Sequence, residues 1–145
     1  MLATSRFKLS TATALLVFGA ALAIMFYDFL RTPLSEFILS PALEKLDVLT
    51  VADHRFTVWA ISRNAYTLAT LHTKLFDAEQ CYPVPNSLAF GHPFITLGML
   101  GVPAYLATGD PIITYNFAFF ALVLLSAMAM YFLVAEWTGV PAAGG

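Results

Sequence analysis

Charge is what this chain has least of: Asp, Glu, Lys and Arg make up 11% of its 145 residues, where soluble domains carry about 25%. The net charge of -2 leaves no strong basic patch of the kind nucleic-acid binding needs. One cysteine, Cys81, has no partner for an internal disulfide, and no CxxC pair exists for zinc or redox chemistry. A glycine-rich phosphate loop, GxSxG and HExxH are all absent, which removes support for several classes of soluble enzyme. His72 and His92 are single histidines outside the spacings, such as HxxxH or HxH, that bind a metal. No internal repeat or low-complexity segment interrupts the chain.

What is present is apolar. Hydrophobic residues reach 59%, thirteen are Phe, and the mean hydropathy is +0.77. Such a composition suits lipid better than a small aqueous core. Three uncharged stretches approach the length of about 20 residues that a membrane helix needs. They predict spans at about 9–29, 93–108 and 111–135, separated by an external loop over 30–92. The first follows Arg6 and Lys8, which places the N-terminus in the cytoplasm and the loop outside. A cleaved signal peptide is the competing reading, with Arg6 and Lys8 as its charged region and Ala21-Leu22-Ala23 as its cleavage site. The long apolar run favours a retained helix.

The external loop carries most of the remaining charge. Pro33 and Pro41 break its first part into short pieces. Asp53 can then cap a helix from about His54 to Phe76, along which Val58, Ile61, Ala65, Leu68 and Leu75 recur at helical steps. Arg55, Arg63 and Lys74 lie elsewhere on its surface, and Trp59 and Tyr66 suit a membrane interface. A helix packed on a neighbouring soluble domain is the weaker alternative. Pro83 and Pro85 then force an extended path before a turn at Asn86-Ser87. The second span contains Pro103 and is predicted to kink. Asp110 followed by Pro111 signals the start of the third helix, which meets no charge until Glu136. Small residues at Gly19, Ala20, Ala21 and Ala23, and at Ser126, Ala127 and Ala129, would allow close helix approach or simply reflect composition.

Asp53, His54 and Arg55 place a carboxylate, an imidazole and a guanidinium side by side. Asp53 could take a proton from an acceptor hydroxyl or hold a divalent cation, and Arg55 could pair with a phosphate. The plainer reading makes Asp53 a helix cap alone. His92, where the loop meets the second span, stands at the lip of a possible cavity. This gives Asp53 as the catalytic candidate and His54, Arg55 and His92 as substrate-binding candidates. Asp77 and Glu79 read as solvated, and Asp28 as the end of the first helix. Apart from Asp28 at the end of the first, no charged side chain falls within the spans, which argues against an ion path.

In order along the chain come Asp53, Trp59, LFDA at Leu75 to Ala78, YPVPNSLAF at Tyr82 to Phe90, GDPIITYN at Gly109 to Asn116, and YFLVAEWTG at Tyr131 to Gly139. This series resembles that of bacterial membrane glycosyltransferases of the GT-C superfamily, over nearly two-thirds of the chain. Glu79-Gln80-Cys81 and Gly91 depart from the family's usual residues. The hydropathy pattern predicts an all-α membrane protein with about three transmembrane helices and a long external loop containing an amphipathic interfacial helix. The resemblance implies transfer of a sugar from a polyprenyl-phosphate donor, with Asp53 as base or metal ligand. The setting would be the bacterial inner membrane, with a lipid-linked sugar, the bilayer and further membrane helices as partners. Members have many more spans, so residues 1–145 are expected to be the N-terminal part of one membrane domain and inactive alone. The alternative is a small non-catalytic membrane protein that packs with partner helices.

Overall fold

The computed structural model describes residues 2–31, 33, 36, 48–71, 74–77 and 81–138. Pro41, His72, Glu79 and Gly139, all used in reading the sequence, lie outside them. All the regular structure of the described residues is helical: α1 (Leu2–Met25), α2 (Tyr27–Leu30), α3 (Val48–Ala69), α4 (Ile95–Thr108) and α5 (Pro111–Thr138), with a 3-10 turn over Ser87–Phe90. The chain divides into two compact units, one of residues 1–31 and 121–145, the other of residues 32–120.

In the first unit α1 gives way to α2 at Phe26. The helical hydrogen bonding continues past this residue, from Phe26 N–H to Leu22 and from Leu30 N–H to Phe26. Asp28 therefore lies in the first turn of α2 and does not end the preceding helix. Arg31 closes the segment, its guanidinium 5.5 Å from the centre of the Tyr27 ring, a cation–π contact. Ala14 packs with Met128 and Tyr131, and Phe18 covers the cluster. Gly19 is not a point of close approach, since a methyl added there would meet nothing within 4 Å.

The second unit is built on α3 against α4. Val58, Ile61 and Ala65, the apolar positions spaced for a helix and expected to form a face for the membrane interface, are instead buried within the protein. Ala60, Ser62, Asn64 and Thr67 are buried as well, so burial spreads over more of the helix than an amphipathic stripe provides. Gly98 of α4 makes the approach to α3 possible, and Gly101 makes room for Thr114. A Cβ on Gly98 would collide with the Cβ of Asn64, and one on Gly101 would stand 2.8 Å from Thr114 Cγ2 and 3.6 Å from Ala65 Cβ.

The bounds of α3 correct the sequence reading. The helix begins at least five residues before Asp53, which lies in its second turn with its carbonyl accepting a 2.9 Å hydrogen bond from Thr57 Oγ1. It ends at Ala69, where Leu71 enters the left-handed region at φ 54°, and does not run to Phe76. Leu75 falls on a helical step but serves otherwise. The Arg63 guanidinium, spaced one turn from Thr67, donates to the carbonyls of Lys74, Leu75 and Asp77 and holds that strip of loop on α3. Exposed Lys74 pairs at 3.4 Å with Asp77, which is half-buried where the sequence suggested a solvated carboxylate.

At the start of α5, Asp110 Oδ1 accepts from the N–H groups of Ile112 and Ile113 at 2.8 and 3.0 Å. It is the predicted N-cap, with Pro111 at the first helical position where no N–H is needed. By length and composition, α5 over Pro111–Trp137 is long and apolar enough to cross a membrane. Thr11–Met25 and Ile95–Thr108 are shorter apolar helices, and α4 continues through Pro103. Leu125, Met130 and Trp137 are exposed on α5, the side chains such a helix would present to lipid.

Candidate functional site

The second unit contains an open cleft of about 540 Å³ lined by Asp53, Phe56, Thr57, Cys81, Ser87, Leu88, Phe90, Gly91, His92 and Phe94. Three of these, Phe56, Leu88 and Phe94, belong to a small apolar cluster in which Ala60 and Leu88 are buried and the two Phe pack against them. Leu88 is fixed by a 3.1 Å hydrogen bond from its N–H to the Phe76 carbonyl. The Leu88 hydrogen bond therefore ties the two ends of the proline-rich loop to each other, and the Arg63 clamp holds the 74–77 end on α3.

The turn over 86–90 is local chemistry. Asn86 takes a left-handed conformation at φ 56°, which Asn tolerates better than most residues. Its carbonyl accepts from Ala89 N–H at 2.9 Å. The chain then swings through Gly91 and His92 into α4, whose capping residue Phe94 is also left-handed, at φ 50°. The fully buried Asn64 of α3 donates from Nδ2 to the carbonyl of Pro93, the residue after His92. One amide thus ties the helix bearing Asp53 to the backbone that carries His92.

Of the four predicted site residues, the fold brings two together. Asp53 and His92 line the cleft, and both are exposed. His54 points elsewhere: its ring meets Tyr115 edge-on at 5.2 Å, and partial burial lowers its pKa by desolvating the charged form. Arg55 is exposed and does not line the cleft. Adjacency in sequence misled here because successive helical residues point about 100° apart.

The structure adds residues that sequence reading passed over. Phe56 and Phe94 build the apolar wall, and Ser87 had been read only as part of a turn. Its Oγ is buried at the cleft without a hydrogen-bond partner among the described residues. The spacing of Phe56 and Ala60, one helical turn apart, was the available signal for the wall.

Chemically, Asp53 offers a solvated carboxylate able to accept a proton or ligate a cation. His92 offers an imidazole able to donate or accept, with its ring 6.0 Å from that of Phe94. Among the described residues no three His, Cys, Asp or Glu side chains converge to hold a metal ion. A divalent cation on Asp53 would need donors supplied by its substrate or by other residues. No protein-family model, no curated protein and no solved structure matches this chain.

Proposed function

We propose that the chain is the N-terminal part of a polytopic membrane glycosyltransferase of the GT-C type, acting on a polyprenyl-phosphate-linked sugar. The observation that supports the reading is the cleft, where Asp53 and His92, far apart in sequence, line one aromatic-walled opening beside an apolar helix. The ordered motifs from Asp53 to Gly139 support it as well.

In this reading the acceptor hydroxyl lies against Asp53, which takes its proton as the oxygen bonds to the anomeric carbon of the sugar. The bond from that carbon to the phosphate oxygen breaks, and the polyprenyl phosphate leaves with the electron pair. His92 hydrogen-bonds the phosphate or a sugar hydroxyl, while Phe56, Phe90 and Phe94 offer apolar faces to the sugar ring. His54 orients α3 through Tyr115. The protein resides in the bacterial inner membrane with its N-terminus in the cytoplasm, and α1 and α4 join α5 in crossing the bilayer alongside further helices.

The test is sugar transfer in membranes containing the complete reading frame, with a polyprenyl-phosphate sugar as donor. Asp53→Asn should lower transfer by roughly 10²–10⁴-fold, the usual contribution of a general base, with unchanged protein in the membrane. Full activity in that variant removes Asp53 from the mechanism. A second reading, a non-catalytic membrane protein packed with partner helices, is favoured by α5, of which 17% of the most apolar window is buried. A defined crosslinked partner, with no transfer by the complete frame, would select it.

A further inference from the structure

From Cys81 to Gly109 the sequence contains no Asp, Glu, Lys or Arg. This interval is more than α4: its first part, 81–94, is loop and 3-10 turn, where aqueous surface normally concentrates charge. That loop also exposes large apolar side chains. Tyr82 is 88% exposed, Phe90 82% and Val84 47%. A loop in water gains nothing from such a face, and singly exposed apolar residues do not usually come with the complete loss of neighbouring charge.

The loop runs directly into an apolar helix that exposes Met99 (60%) and Leu106 (68%), so the uncharged stretch keeps exposing large apolar side chains from loop into helix. Fourteen residues of α4 span about 21 Å at 1.5 Å per residue, short of the roughly 30 Å hydrocarbon core. Interfacial residues at one end would supply part of the difference. Tyr and Phe suit that depth, where an aromatic ring can be buried while polar groups remain hydrated.

We propose that the Cys81–Phe90 loop is seated in the headgroup region of the bilayer, with Tyr82, Val84 and Phe90 as its lipid-facing contacts. The interfacial anchor of this unit is then the uncharged loop, more than the amphipathic face of α3, whose Val58, Ile61 and Ala65 are already buried within the protein. Since Cys81 and Phe90 also line the cleft, the cleft opens at the membrane surface. The inference does not depend on glycosyl transfer, and its test contains no activity measurement.

Cys81 is the single cysteine and is exposed, so the natural chain carries its own probe site. The full chain, labelled at Cys81 with an environment-sensitive fluorophore, is reconstituted in phosphatidylcholine and phosphatidylglycerol vesicles. Quenching is compared among lipid spin-labelled near the headgroup, lipid spin-labelled near the chain end, and aqueous iodide. Strongest quenching by the shallow spin label, with clear protection from iodide, is expected. Tyr82→Asp should reduce lipid quenching and raise iodide quenching while the circular dichroism stays helical. Free access to iodide without lipid quenching would overturn the proposal by placing the loop in water. Protection from both quenchers would also overturn it, showing that protein covers the loop.

Discussion

Replacing Gly98 by alanine tests the contact on which the second unit rests. The added methyl would collide with Asn64 Cβ and stand 3.3 Å from two backbone atoms, Ala65 N and Asn64 C. These are parts of α3 itself, so no flexible side-chain end can yield, and α4 must move away. Overpacking of this kind costs about 1–3 kcal/mol. The shift also pulls Pro93 from Asn64, whose side chain is fully buried, and a stranded buried polar group costs about 1–3 kcal/mol more. Against this, alanine is favoured over glycine in a helix by about 1 kcal/mol. The balance is a loss of about 1–5 kcal/mol. Thermal unfolding in detergent micelles, followed by circular dichroism, measures it. Gly19→Ala is the control: with open space around that position, it should be neutral or stabilising by up to about 1 kcal/mol. Equal behaviour of the two variants would refute the close packing of α3 on α4.

Arg63→Ala should free the loop strip held by its guanidinium and speed tryptic cleavage after Lys74 by roughly tenfold, the equivalent of about 1.4 kcal/mol. Arg63→Lys should restore little of this protection, because an ammonium lacks the planar fork of donors. Burial lowers the pKa of His54 below its usual 6.5, so between the two values the unfolded chain binds more protons than the folded one. The stability this confers is complete above pH 6.5 and is lost as pH falls through the folded-state value. Melting temperatures measured across that interval should fall with acidification, and His54→Gln should flatten the slope.

Particular residues show how far the sequence could be read. Asp110-Pro111 announced the start of α5 because a cap and its helix are neighbours, and the signal needs nothing distant. Asn86 in its turn was legible for the same reason. Asp53 was misplaced as a cap, because the residues before it also adopt helix. Leu75 kept the helical period although the chain had left the helix. Gly98 and Gly101 were not singled out, whereas Gly19 was, because a glycine signals close packing only when another backbone lies opposite.

The sequence by itself determined the apolar character of the chain, the long α5 that meets no charge before Glu136, and the presence of Asp53 and His92. Composition and local spacing suffice for these. Tertiary structure alone decided that Asp53 and His92 share a cleft while His54 turns toward Tyr115 and Arg55 remains outside it. The physical reason is that a site is assembled by the angle of each residue around its helix and by where a distant loop is tied down. Here the tie is the buried amide of Asn64 on the carbonyl beside His92.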